Sequence, residues 1–128
     1  MQRWDLAAAN DSDRPGPRVL FSMPEARAVV IDLAAGEELR DHQVRERAVL
    51  QVLAGSAECA SGGESAICGQ GTLVLFEPSE THSVRAVEAT RLLLTLAPWP
   101  APGHYADTEE EDPHALPVHA TILPREDS

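Results

Sequence analysis

The sequence predicts an all-β domain closed into a sandwich or barrel, and three observations carry that expectation. From Val19 onward, apolar runs of at most seven residues alternate with Gly, Pro and charged loops at short intervals, the punctuation of consecutive strands. No stretch between those loops leaves room for a helix of three turns. Gly62 and Gly63 stand between two of the runs, and paired glycines supply the positive φ that a tight hairpin needs.

The elements follow in order. NDSDRPGPR (10–18) is a polar, proline-bearing lead-in, so residues 1–18 read as a flexible arm in which only Trp4 and Leu6 have anything to dock. The domain is expected over 19–98, with runs VLF (19–21), AVVIDL (28–33), AVLQVL (48–53), SAECAS (56–61), SAIC (65–68), TLVLF (72–76), HSVRAV (82–87) and RLLLTLA (91–97). Strands so short and so many close into a sandwich or barrel. Taking Ala48 as inward places Leu50 and Val52 inward and Val49, Gln51 and Leu53 outward, so both faces of this strand need covering. Counting outward from Gly62–Gly63 sets Cys59 opposite Ala66 and diagonal to Cys68, a spacing long for a disulfide. Two buried, reduced thiols follow. From Pro98 the chain turns proline-rich and acidic, a composition that favours disorder over 99–128. Leu116, Val118 and Ile122 nevertheless alternate as a segment added to a sheet edge would.

Composition excludes several classes. All ten basic residues are arginine, which removes Schiff-base and P-loop chemistry. The net charge of −11 is uneven: residues 1–18 balance three Arg against three Asp, residues 19–99 carry −5 and residues 100–128 carry −6. Such a field repels polyanions, so no nucleic-acid partner is expected. No apolar run is long enough for a membrane span, and the amino terminus lacks a secretory core. No membrane partner and a cytoplasmic location are the resulting expectations, and with them reduced cysteines.

Two spacings bear on function. The first is Gly36, five residues, His42, one, Val44, three, Ala48, six, Gly55; the second is Gly71, five residues, Glu77, one, Ser79, two, His82, three, Ala86. They resemble the two cupin motifs, G-x5-H-x-H-x3-E-x6-G and G-x5-P-x-G-x2-H-x3-N, over residues 36–86 without an insertion. The resemblance implies a cupin fold, a double-stranded β-helix or jelly-roll barrel. More narrowly, A-x-x-Q-V-L-x-G, the Gly-Gly hairpin, P-x-x-x-H and L-L-L-T-L look like a branch of small single-domain cupins. In that branch one histidine starts the first motif and alanine fills the glutamate position.

In metal-binding cupins three histidines and a glutamate converge on one cation inside the barrel. Here only His42 and His82 match; Val44 and Ala48 replace the other two ligands, and Glu77, Ser79 and Ala86 depart from the second motif. The resemblance thus implies a degenerate metal site, with a divalent cation weakly held or absent, since two imidazoles leave most of the coordination sphere to water. Glu77, Glu80, Cys59, His104, His114 and His119 are further donors, but none has ligand spacing. Asp32 and Asp41 lie near His42 in sequence without being spaced to back it. Arg45, Glu46 and Arg47 read first as a solvated charged turn and second as an anion clamp.

The expected function is binding of a small, apolar or aromatic molecule in the barrel, contacted by His42 and His82 and walled by Val44, Ala48, Leu50 and Val84. One alternative is a metal-dependent dioxygenase or isomerase using the two histidines. Another is a non-catalytic dimer that presents the acidic tail to a partner. The doubly apolar sheet, and the habit of small cupins, imply a homodimer.

Overall fold

A computed structural model of the chain describes residues 1–7, 16–42, 46–99 and 122–123. The described residues contain ten strands and no helix: β1 (Gly16–Met23), β2 (Ala26–Leu33), β3 (Glu38–His42), β4 (Arg47–Ala54), β5 (Ser56–Ser61), β6 (Glu64–Gly69), β7 (Leu73–Phe76), β8 (His82–Ala86), β9 (Thr90–Ala97) and β10 (Ile122–Leu123). They form two five-stranded antiparallel sheets, ordered β1-β2-β9-β4-β7 and β10-β3-β8-β5-β6. The all-β jelly roll expected from the sequence is what the chain builds.

Strand alternation fills the space between the sheets. Ala48, Leu50 and Val52 of β4 are buried to within 1% and meet Leu92, Leu94 and Leu96 of β9, also inward. The opposite sheet supplies Leu39, Ala57, Cys59, Val84 and Ala86 to the same core. Each buried leucine contributes about 1.5–3 kcal/mol relative to an exposed one. On the outer face of β4, Val49, Gln51 and Leu53 are half-buried, as the alternation requires.

The glycines that frame the two motifs have a common reason. Gly36, Gly55 and Gly71 all adopt φ between 84° and 90°, a region L side chains avoid. Ser79, at the position where the cupin pattern has glycine, takes φ 66°. The backbone of that loop therefore takes a left-handed turn on a non-glycine residue.

Three features extend beyond the expected boundaries. β1 begins at Gly16, before the apolar run at Val19, because Gly16, Pro17 and Arg18 continue the β2 ladder opposite Asp32, Ile31 and Val30. The arm is seated: the Trp4 ring lies 5.8 Å from Phe21, and the Leu6 carbonyl accepts from Arg91 Nη1 at 3.0 Å. The same guanidinium donates to both Asp32 oxygens, at 2.7 and 3.1 Å, which ties Asp32 to Arg91 of β9. Trp99, just past the expected domain end, is a core residue at 3% exposure, capped by Arg27 at 4.2 Å from its ring.

In the tail, Ile122 and Leu123 pair with Leu39 and Glu38, adding β10 to the edge of β3. The expected alternation at Leu116 and Val118 lies outside the described residues, as do His104, His114 and His119.

Candidate functional site

β6 ends one sheet and β7 ends the other, and between these two edges lies an open groove of about 250 Å³. The hairpin register explains its walls. Cys59 pairs with Ala66 and Ser61 with Glu64 across β5 and β6, so those side chains share the inward face. From the facing sheet, Val74 and Phe76 are the inward positions of β7, and Glu80 completes the groove from the following loop.

Phe76 joins this groove to the histidine. The His82 imidazole stacks on the Phe76 ring, centroids 3.8 Å apart and planes within 4°. His82 is 3% exposed, and its Nδ1 sits 3.0 Å from the Glu80 carbonyl oxygen. A carbonyl only accepts, so Nδ1 carries the proton and Nε2 carries the lone pair. Burial holds the His82 pKa below the ordinary 6.5, against the smaller upward pull of the Glu80 carbonyl and charge. The imidazole is therefore neutral at pH 7.

Glu80 is fixed on both ends. Its carboxylate accepts from the Ser61 hydroxyl and, at 2.8 Å, from the Glu77 backbone N–H. The Ser61 bond is the main cause that holds this carboxyl below its usual range. An ionised carboxylate thus sits on the groove rim beside a neutral histidine.

The pH dependence follows in sign. As pH falls below 6.5, unfolded chains take up a proton that folded His82 refuses, so stability drops until the folded pKa is passed. His82→Phe should flatten the denaturation midpoint over that window and leave the separate loss below pH 4.5, to which Glu80 contributes, in place; urea titrations from pH 7 to 4 check this.

The other expected site residues fall in two groups. His42 stands opposite His82 in the β3–β8 ladder, a register that makes the two positions cross-strand neighbours. Ala48, Leu50 and Val84 are opposite Phe76, Val74 and Cys59 respectively, so they form the packed layer beside the groove walls and do not themselves line it. Val44 lies outside the described residues.

Two residues were hidden from the sequence reading. Phe76 could have been found by parity, because β7 is short and its inward set is Val74 and Phe76. Glu46, expected in a solvated turn, is buried at 2% exposure; it shares the strand parity of Ala48 and Leu50, a signal masked by the flanking arginines. Arg47 does behave as a surface residue, paired with Glu77 at 2.7 Å.

The fit to a cupin metal is poor. The carboxylate position is Ala48, whose methyl cannot coordinate, and Phe76 stands opposite it with its face on His82. Among the described residues no group of three or more His, Cys, Asp or Glu side chains could hold a metal ion. No helix among them is long and apolar enough to cross a membrane.

Solved structures with this fold are numerous. An RmlC-like cupin protein from Desulfovibrio desulfuricans is 26% identical, with a TM-score of 0.66 over 77% of this chain and 97% of that one. An uncharacterised protein with a double-stranded β-helix domain from Klebsiella pneumoniae is 24% identical, with a TM-score of 0.62 over 69% and 84%. A salicylate 1,2-dioxygenase from Pseudaminobacter salicylatoxidans is 23% identical, with a TM-score of 0.56 over 59% of this chain and 22% of that one. No protein-family model matches the chain, and no curated protein matches it.

Proposed function

The chain is a small member of the cupin superfamily, and we propose that it binds a small aromatic molecule in the groove between β6 and β7. The observation that carries this reading is the Phe76 ring, which lines the groove and is held against the buried His82 imidazole. Phe76 offers an apolar ring to a flat guest. The Glu80 carboxylate on the rim disfavours anions. Neutral aromatic molecules, phenols and aromatic amines among them, are thus the expected class.

A thermal-shift screen tests it. Phenols or aromatic amines should raise Tm in the wild type, with benzoates inert and the shift lost in Phe76→Leu; a ligand held at 100 times its Kd adds about 2.7 kcal/mol. Benzoates outperforming phenols, or shifts that survive Phe76→Leu, would refute the reading.

The register of His42 opposite His82 favours a second reading, a metal-dependent enzyme of dioxygenase or isomerase type with a weakly held cation. It predicts about one metal per chain after purification and its loss in His42→Ala.

Two copies are proposed to associate through the uncovered half of the outer sheet face. The Trp4 arm lies over β1, whereas Leu73 and Leu75 are 58% and 54% exposed beside outward Gln51 and Val49. Contiguous apolar surface of this kind marks interfaces. Light scattering should give twice the monomer mass for the wild type and the monomer mass for Leu75→Glu; a monomeric wild type refutes the association.

A further inference from the structure

The groove has a feature that guest binding does not use. Cys59 and Cys68 are its two sulfur-bearing walls, both 7% exposed and both free. Cys59 pairs with Ala66 and Cys68 with Ala57, so the thiols are diagonal neighbours on one face of a hairpin. Diagonal positions lie about 7–8 Å apart at Cα, with Cβ atoms somewhat closer. A disulfide wants Cα atoms about 5.5–6 Å apart and Cβ atoms near 3.8 Å. The same diagonal suits one ion between two sulfurs, each about 2.3 Å from it.

The thiols also face each other chemically. Cys68 donates weakly to the Ala66 carbonyl at 3.8 Å, and its side chain lines the groove. Burial first, and then the charge and hydrogen bond of Cys68, push the Cys59 thiol up to about 12. Cys59 therefore stays protonated in the metal-free protein and resists alkylation. Val74 and Phe76 shield them from the facing sheet, an environment that disfavours hard, hydrated cations.

We infer that Cys59 and Cys68 form a two-coordinate site for a soft monovalent cation of the copper(I) and silver(I) class. Thiolates select such ions. Binding forms two metal–sulfur bonds and breaks two S–H bonds, releasing two protons and leaving one net negative charge on the bis-thiolate complex. No electrons are transferred. The sulfurs, and neither His42 nor His82, supply the ligands, so the site shares the groove's walls but not the aromatic platform of the binding reading.

The test uses reduced full-length protein titrated with silver nitrate in chloride-free solution. One ion per chain and two protons released per ion are expected. Cys59→Ala and Cys68→Ala should each weaken binding at least a hundredfold, while His42→Ala and His82→Phe leave it unchanged. Two ions per chain, with one lost in each cysteine variant, would show independent thiols and overturn the site; so would loss of binding in either histidine variant. X-ray absorption of the silver-loaded wild type supplies a reading that no variant's folding can confuse. Two sulfur neighbours support the site, and any nitrogen or oxygen in the shell overturns it.

Discussion

Replacing Phe76 with alanine will lower stability by about 3–5 kcal/mol, the range for deleting a buried aromatic side chain, and will abolish guest binding. Phe76 is 4% exposed, pairs with Ala48 across β4 and β7, and carries the His82 ring on its face. Its removal deletes packing on the core side and the platform on the groove side together. It also admits water to His82, so the imidazole pKa should rise toward 6.5, the value from which burial depresses it. Phe76→Leu separates the two roles. It keeps most of the buried apolar volume, so most of the stability returns, but it has no ring face and binding stays lost. Equal binding by Phe76→Leu and the wild type would remove the aromatic platform from the account.

Gly55→Ala will be of similar size, about 3–5 kcal/mol. Its φ of +84° costs a non-glycine residue about 1–3 kcal/mol. A Cβ there would also meet the Ala89 carbonyl oxygen at 2.2 Å and the Thr90 Cα at 2.8 Å, both backbone atoms that cannot swing away. The clash falls on a hub: Thr90 Oγ1 accepts from the Ser56 N–H at 3.2 Å and contacts the Ser56 carbonyl at 2.8 Å, joining β5 to β9. Gly62→Ala is the matched control, because it too has positive φ but nothing lies within 4 Å of its Cβ. Only the backbone strain of about 1–2 kcal/mol should remain there. Denaturant midpoints with unchanged m report both values, and equal losses at the two glycines would contradict the close-approach explanation.

The fold was legible because its signals are backbone signals. Gly36, Gly55 and Gly71 mark turns of positive φ, and the β4 alternation states which face is inward. The Gly62–Gly63 hairpin fixed the cysteine register, and Cys59 does pair with Ala66. What could not be read depends on contacts between distant strands. Arg45-Glu46-Arg47 looks solvated in composition, yet strand parity takes Glu46 inside. The arm's polar lead-in gives no hint that Arg91, far along the chain, holds the Leu6 carbonyl. Trp99 sits in a proline-rich stretch that composition assigns to the tail, yet it packs in the core with Arg27 over its ring.

The site was half legible. Motif spacing named His42 and His82, and the ladder makes them opposite partners. It also named Ala48, Leu50 and Val84 as walls, because inward residues of a barrel line its cavity by default. In this chain the space beside them is taken by Phe76, Val74 and Cys59, so the groove opens one layer further out, at the β6–β7 edge. The substitution of a carboxylate by Ala48 and the aromatic ring opposite it are two halves of one change, and only one of them lies in a motif position.

The most direct measurement is nitrogen NMR of the imidazoles in selectively labelled protein, with His82 assigned through His82→Phe. The account predicts a neutral His82 at pH 7 with its proton on Nδ1, and a phenol titration that shifts the imidazole stacked behind Phe76. A His82 that is charged at pH 7, or protonated on Nε2, or silent while phenols bind, would contradict it.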